Sequence, residues 1–182
     1  MIPRSKPSSA RERTALIRAV DALQVPSGQA AQLPAGAEVI ISQALGGSFS
    51  LEYEGRLYRI DGLDADAIGK PALELRFGDA EPGMIKLEHV DKVLRTVYDP
   101  EIPVNILDLG LVYARRVEGR SISIDMTLTA PACGMGDVLR AELAQRLKQV
   151  PNVERVEVNL VFAPPWNRSM LSEVAKLELG MF

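Results

Sequence analysis

Ile122-Ser-Ile124-Asp-Met126-Thr-Leu128, followed by Thr129-Ala-Pro131-Ala-Cys133-Gly134-Met135-Gly136, is the stretch on which the fold turns. The first part alternates apolar and polar residues with period two, the mark of a strand burying one face. After Gly136 the spacing changes. Leu139, Leu143 and Leu147 recur every four residues, one stripe of an amphipathic helix over Gly136 to Gln149, and Pro151-Asn152 closes it. Upstream, Leu111 to Val117 reads as a second strand, joined to the first by a turn at Glu118-Gly119-Arg120. Downstream, Val156, Val158, Leu160 and Phe162 alternate again, and Pro164-Pro165 ends the run.

Further outward, Ile85 to Tyr98 carries Val90, Val93, Leu94 and Val97 at helical spacing, with Pro100 and Pro103 as the stop. A last short helix spans about Ser169 to Leu179 and ends at Gly180. The order is α-β-β-α-β-α, an α/β (α+β) fold of two layers in which helices cover one face of a small sheet. The sequence assigns it to residues 84–182.

The N-terminal half has a different texture. Residues 1–14 read as a flexible tail, and 15–78 as a small β-rich module punctuated by Pro26-Ser27-Gly28 and Pro34-Ala35-Gly36. Its clearest signal is a hairpin about Glu54-Gly55, pairing Leu51 with Tyr58 and Phe49 with Ile60. That register puts Phe49, Leu51, Tyr53, Tyr58 and Ile60 on one face, and Glu52, Leu57 and Arg59 on the other. Asp61, Asp64 and Asp66 lack the spacing of a calcium loop and read as turn and cap carboxylates beside a helical turn at Asp64 to Gly69. Gly78 to Gly83 reads as a linker.

Composition narrows the function. The 182 residues carry 21 basic and 24 acidic side chains, a net charge of −3, without the basic excess that phosphate contacts with nucleic acid require. No apolar run approaches the ~20 residues of a membrane span, and no signal-peptide core follows the N-terminus, so a cytoplasmic, reducing location is expected. One cysteine, Cys133, and one histidine, His89, exclude a disulfide framework within the chain and a private four-ligand site of Cys and His.

Cys133 nevertheless has a notable address, between a strand end and a helix start, where free amides and the helix dipole stabilise a thiolate. Gly134 and Gly136 would allow the backbone close to whatever it holds. The position suits a nucleophile, a redox thiol or a metal ligand, and also a small buried hydrophobe. A nucleophile usually needs a histidine base, but His89 lies within the first predicted helix, where a partly exposed surface role is expected. Asp99 and Glu101, set among Pro100 and Pro103, would be carboxylates presented from an extended segment toward a cleft or metal; plain turn chemistry, with Asp108 holding its own backbone, is the alternative. Trp166 reads as a partner anchor or as a lid on the sheet core.

Three motifs in order, Asp99-Pro-Glu-Ile-Pro-Val-Asn-Ile-Leu-Asp-Leu-Gly-Leu-Val-Tyr113, Thr127-Leu-Thr-Ala-Pro-Ala-Cys133 and Val158-Asn-Leu-Val-Phe-Ala-Pro-Pro-Trp166, resemble the metal–sulfur cluster biosynthesis domain of the SufT/PaaD type. Gln43 to Gly47 and Ile60 to Gly69 resemble the N-terminal extension of SufT-type members. The resemblance implies an auxiliary factor in iron–sulfur cluster assembly or Fe–S protein maturation, rather than an enzyme with turnover. Its positions of interest fall on Asp99, Glu101, Thr129 and Cys133, with Cys133 as the metal ligand. Many relatives have Pro after the cysteine where this chain has Gly134, and some have a second Thr where this chain has Ala130.

Fe–S clusters are mostly held by four thiolates, and one Cys per chain falls short. Two chains sharing a cluster, a small thiol, or ligation by Asp99 and Glu101 would make up the set, so transient or bridging binding of iron or a cluster at Cys133, with a possible homodimer, is the expectation that follows. The implied partners are the Fe–S assembly machinery and apo Fe–S clients, with no nucleic acid and no membrane. A client-docking adaptor that ligates no metal is the alternative.

Overall fold

Leu51 pairs with Tyr58 and Phe49 with Ile60 across a turn at Glu54-Gly55, the register that the alternation predicts. Both turn residues have positive φ, 48° and 73°, as a two-residue hairpin with native twist requires. The structure, a computed structural model, describes residues 11–45, 47–99, 101–131 and 134–181. It divides into two compact units, 1–74 and 75–182.

Unit one is a six-stranded antiparallel sheet. Its strands are β1 (Glu12–Ala15), β2 (Val20–Gln24), β3 (Ala30–Leu33), β4 (Glu38–Leu45), β5 (Ser48–Tyr53) and β6 (Arg56–Asp61), ordered β1-β4-β5-β6-β2-β3. The core gathers Leu16, Val20, Leu33, Val39, Ile41, Leu51, Tyr58 and Ile60. Two expectations change. Residues 12–14, assigned to the N-terminal tail, belong instead to a strand, because Glu12 pairs with Ile41 and Thr14 with Val39 although these residues show no apolar alternation. Arg59, expected on the outer face, is 5% exposed, and its cross-strand neighbour Ser50 is also buried.

The three aspartates serve the fold. Asp61 caps the 3-10 turn Gly62–Ile68 by accepting from the Leu63 amide at 2.9 Å. Asp64 and Asp66 grip Arg18 at 2.8 and 2.5 Å. The Arg18 hydrogen bond holds the Asp66 carboxyl below its usual range.

Unit two runs α1 (Leu87–Leu94), β7 (Val112–Glu118), β8 (Ser121–Met126), α2 (Gly136–Leu147), β9 (Arg155–Leu160) and α3 (Glu173–Glu178). This is the predicted α-β-β-α-β-α order. β7 pairs antiparallel with β8, and β8 parallel with β9, so α2 is the crossover between parallel neighbours. Ile122, Ile124 and Met126 are fully buried beneath Val90, Val93 and Leu94 of α1 and Leu139, Leu143 and Leu147 of α2. Leu75 and Phe77, placed by the sequence in the first module, pack against this core.

Several elements are shorter than their patterns. α1 ends at Leu94, eight residues long, because the chain turns so that Tyr98 bridges Asn105. β9 stops at Leu160 and leaves Phe162 exposed. The last helix loses its first turn to a 3-10 segment, Arg168–Met170. His89, expected near the surface, is 4% exposed and stacks at a tilt on Phe77, ring centroids 5.3 Å apart. Among the described residues, no helix is long and apolar enough to cross a membrane.

Candidate functional site

The segment from Val97 to Leu111 is a compact knot rather than an extended presenter of carboxylates. Val97, Val104, Ile106, Leu109 and Leu111 are all completely buried. Its backbone closes on itself through Ile106 N–H to Val97 O at 2.9 Å, Leu109 N–H to Asn105 O at 2.9 Å and Leu111 N–H to Ile106 O at 3.0 Å. Two buried apolar residues before Asn105 and three after it therefore pull the chain inward, overriding the stiffness that Pro103 lends.

Asp99 sits at the entrance of this knot, 3% exposed. Its Oδ1 accepts from the amides of Glu101 and Ile102, both at 2.9 Å, the side-chain turn that Asp forms when it bonds its own backbone. Its Oδ2 accepts from Thr129 Oγ1 at 3.5 Å. The Glu101 side chain is exposed, and Thr129 is half-buried just after β8. Of the four positions singled out in the sequence, Asp99 and Thr129 are thus brought together, and Glu101 joins them through its backbone. Cys133, with Pro100 and Ala132, lies outside the described residues.

α2 begins three residues after Cys133 with no side-chain cap on its first turn. Gly136 has a packing reason of its own: a Cβ there would stand 2.7 Å from Leu128 Cδ1 and 3.3 Å from Leu160 Cδ1. The glycine lets the helix start sit on the sheet, whatever Cys133 holds. Further along α2, Arg146 and Glu142, 0% and 3% exposed, pair at 3.1 Å. Arg146 also donates to the Thr96 carbonyl, which ties α2 to the chain three residues before Asp99.

Sequence reasoning missed the brace on the knot's other side. Asn105 and Asp108 exchange hydrogen bonds, Nδ2 to Oδ2 at 2.6 Å and the Asp108 amide to Oδ1 at 2.9 Å. Asp108 does more than hold its own turn: its Oδ1 accepts from Ser172 Oγ at 3.1 Å, and its carbonyl from the Ser172 amide at 2.9 Å. Ser172 in turn caps α3 by accepting from the Ala175 amide at 3.1 Å. Trp166 Nε1 donates to the Leu109 carbonyl at 2.7 Å while its ring packs on the core, the lid role. Tyr113, the extra residue where the β7–β8 register slips, donates to the Pro164 carbonyl at 2.6 Å. The Asn105-x-x-Asp108 spacing and a Ser preceding a helix were the signals available.

Tyr98 lies among these groups. Burial, then the charges of Glu178 and Asp108, push its phenol above the usual value. It therefore remains a neutral hydroxyl at physiological pH. Among the described residues, no group of three His, Cys, Asp or Glu side chains stands close enough together to hold a metal ion.

Comparison with known proteins places this unit. The family described as "Iron-sulfur cluster assembly protein" matches residues 87–160, which run from the start of α1 to the end of β9. The chain is similar to the Fe-S protein maturation auxiliary factor of Porphyromonas gingivalis, 46% identical over 94 residues, covering 51% of this chain and 90% of that one. It is 40% identical over 86 residues to the Fe-S protein maturation auxiliary factor SufT of Staphylococcus aureus, covering 47% of this chain and 98% of the relative. That relative is used up by the match and has no length left for a counterpart of unit one. An iron-sulfur cluster carrier protein of Synechocystis is 30% identical over 87 residues, which make up 25% of its length. With motif order, fold order and near-complete coverage of the shorter relatives in agreement, the chain belongs to the iron–sulfur cluster assembly protein family.

Proposed function

We propose that this protein is an auxiliary factor in Fe–S protein maturation, holding iron or a cluster briefly at Cys133 and guiding its transfer to apo Fe–S clients in the cytoplasm. The observation that carries the reading is the Asp99–Thr129 contact inside the family-matched segment. It joins the knot to the strand exit that leads, four residues on, to the lone cysteine. The resemblance of the chain to auxiliary maturation factors and to part of a cluster carrier supports the same assignment. In this role iron or the cluster is cargo, and turnover of a substrate is no part of it. A single thiolate favours release over retention, since stable clusters use about four ligands. A second chain would raise the thiolates to two, and a small thiol or the exposed Glu101 of each chain would complete the set, so a cargo-bridged homodimer belongs to the proposal.

The test is anaerobic reconstitution of the full chain with ferrous iron and sulfide, counting both per chain and measuring mass with and without cargo. Retention that Cys133→Ser removes is the expected result. Equal retention by wild type and Cys133→Ser, or none by either, refutes ligation. Capture of assembly partners that survives Cys133→Ser would then favour the docking adaptor.

A further inference from the structure

Of the seven large apolar side chains exposed among the described residues, three fall within residues 174–181: Val174 at 54%, Leu177 at 63% and Met181 at 37%. Val174 and Leu177 are neighbours on α3, one turn apart. At ~100° per residue, Glu173 lies about 40° to one side of Leu177, and Glu178 about 40° to the other side of Val174. Glu173 is salt-bridged to Lys176 at 2.6 Å and is 86% exposed. An apolar strip with a carboxylate on each flank therefore faces solvent.

The helix cannot roll this strip inward. Ala175 is fully buried and Leu171 is 5% exposed, which fixes the rotation of α3, and Ser172 pins its first turn to Asp108. Gly180, at φ 69°, and the bond from the Met181 amide to the Lys176 carbonyl at 2.8 Å end the helix in an αL cap. The strip is a rigid, preformed surface, which lowers the ordering cost of docking. It borders the candidate site, since Ser172, the cap of α3, bonds Asp108 of the knot at 3.1 Å.

We propose that this face of α3 docks a basic amphipathic segment of a partner protein, its apolar side chains on Val174 and Leu177 and its Lys or Arg on Glu173 and Glu178. Charge selects this occupant. In a symmetric pair of α3 helices the same patch would face itself and bring the acidic flanks together. A segment with basic flanks turns those carboxylates into attractive contacts instead. The inference rests on the maturation reading only for what the partner is, because the surface itself contains no cargo ligand.

The experiment is an amide NMR titration of the metal-free full chain with two synthetic helical peptides. They share Leu at helical spacing and carry either Lys or Glu on both flanks. The expected result is that the Lys peptide shifts the amides of 173–181 and the Glu peptide does not. Leu177→Gln should weaken binding about tenfold, as removal of a central apolar anchor does. Glu178→Gln should weaken it and flatten its salt dependence. Equal binding of both peptides, shifts mapping elsewhere, or no binding at millimolar peptide overturns the proposal. Shifts in 173–181 that follow protein concentration alone overturn it in favour of a second copy, and shifts on removal of residues 1–10 in favour of that segment. Iron and sulfide retention by Leu177→Gln, measured separately, reports on the maturation reading and is expected to be unchanged.

Discussion

Replacing Gly110 by alanine is the sharpest test of how the knot is held. Gly110 has φ 73°, and a Cβ there would lie 2.3 Å from the Met170 carbonyl oxygen and 2.9 Å from its carbon. The backbone conformation alone costs alanine ~1–2 kcal/mol. The steric term adds to this, because the obstacle is main chain and must withdraw. Withdrawal of residue 170 strains the bonds on either side, Trp166 Nε1 to Leu109 O and the Ser172 amide to Asp108 O, each worth ~1 kcal/mol net. The total is ~3–4 kcal/mol. Gly119, at φ 58° in the β7–β8 turn, has open space where its Cβ would go, so Gly119→Ala carries the conformational cost alone. The difference between the two variants isolates the contact with Met170, ~2 kcal/mol or more. Urea unfolding followed by circular dichroism gives both losses, and Trp166, the single tryptophan, reports on the C-terminal brace by fluorescence. Gly110→Ala should shift the native Trp166 emission to the red, and Gly119→Ala should leave it alone. Equal losses in the two variants, with native fluorescence in both, would refute the account of the knot.

Three further outcomes are expected. His89 is buried, and among the described residues neither ring nitrogen is hydrogen-bonded, so His89→Leu should raise stability by ~1 kcal/mol; a loss in urea denaturation would mean that the ring has a polar role. Arg146→Met takes the cation at 3.1 Å away from the buried Glu142 carboxylate and should cost ~3–5 kcal/mol, while Arg146→Met with Glu142→Leu should recover most of it, as a double-mutant cycle by calorimetry will show. The Asp125 carboxyl is held below its usual range by hydrogen bonds from Arg116 and then Asn159. Its contribution is present above the unfolded pKa of about 3.9 and is lost as pH falls through the lower folded value; Asp125→Asn should therefore flatten the acid limb of a stability-versus-pH curve below about pH 4, and an unchanged limb would assign that loss to other groups.

Much of the fold was legible because its signals are local. Period-two alternation in Ile122 to Leu128 and the four-residue stripe of Leu139, Leu143 and Leu147 each describe one face of one element, and both faces are buried as read. The hairpin register followed from two strands agreeing on one turn. What escaped was set by distant residues. β1 is a strand only because β4 offers it a partner, so Glu12 to Ala15 shows no pattern of its own. α1 is shorter than its apolar spacing because Val97, which continues the stripe, is buried by the knot rather than by the helix. His89 looked like surface on a helical wheel, and Phe77 from outside the helix covers it. At the site, residue types could nominate Asp99 and Thr129, but their contact spans 30 positions and no spacing rule predicts it. Gly136 was noticed for its nearness to Cys133, but the side chains that exclude a Cβ there, Leu128 and Leu160, carry no such signal in the sequence.

Asp99 and Glu101 looked equivalent in the sequence, two acids one residue apart, and the structure separates them. A carboxylate that accepts two amides through one oxygen and a threonine hydroxyl through the other is occupied by its own fold. It shapes the turn, and the turn decides where Glu101 stands. Glu101 contributes its amide to that turn and keeps its carboxylate in solvent. In the proposed role the two acids therefore divide the labour. Asp99 shapes the turn, and Glu101 is the acid whose side chain stays exposed. The long Thr129 contact, 3.5 Å against the 2.7–2.8 Å typical of hydroxyl donors, is the weakest bond of the set.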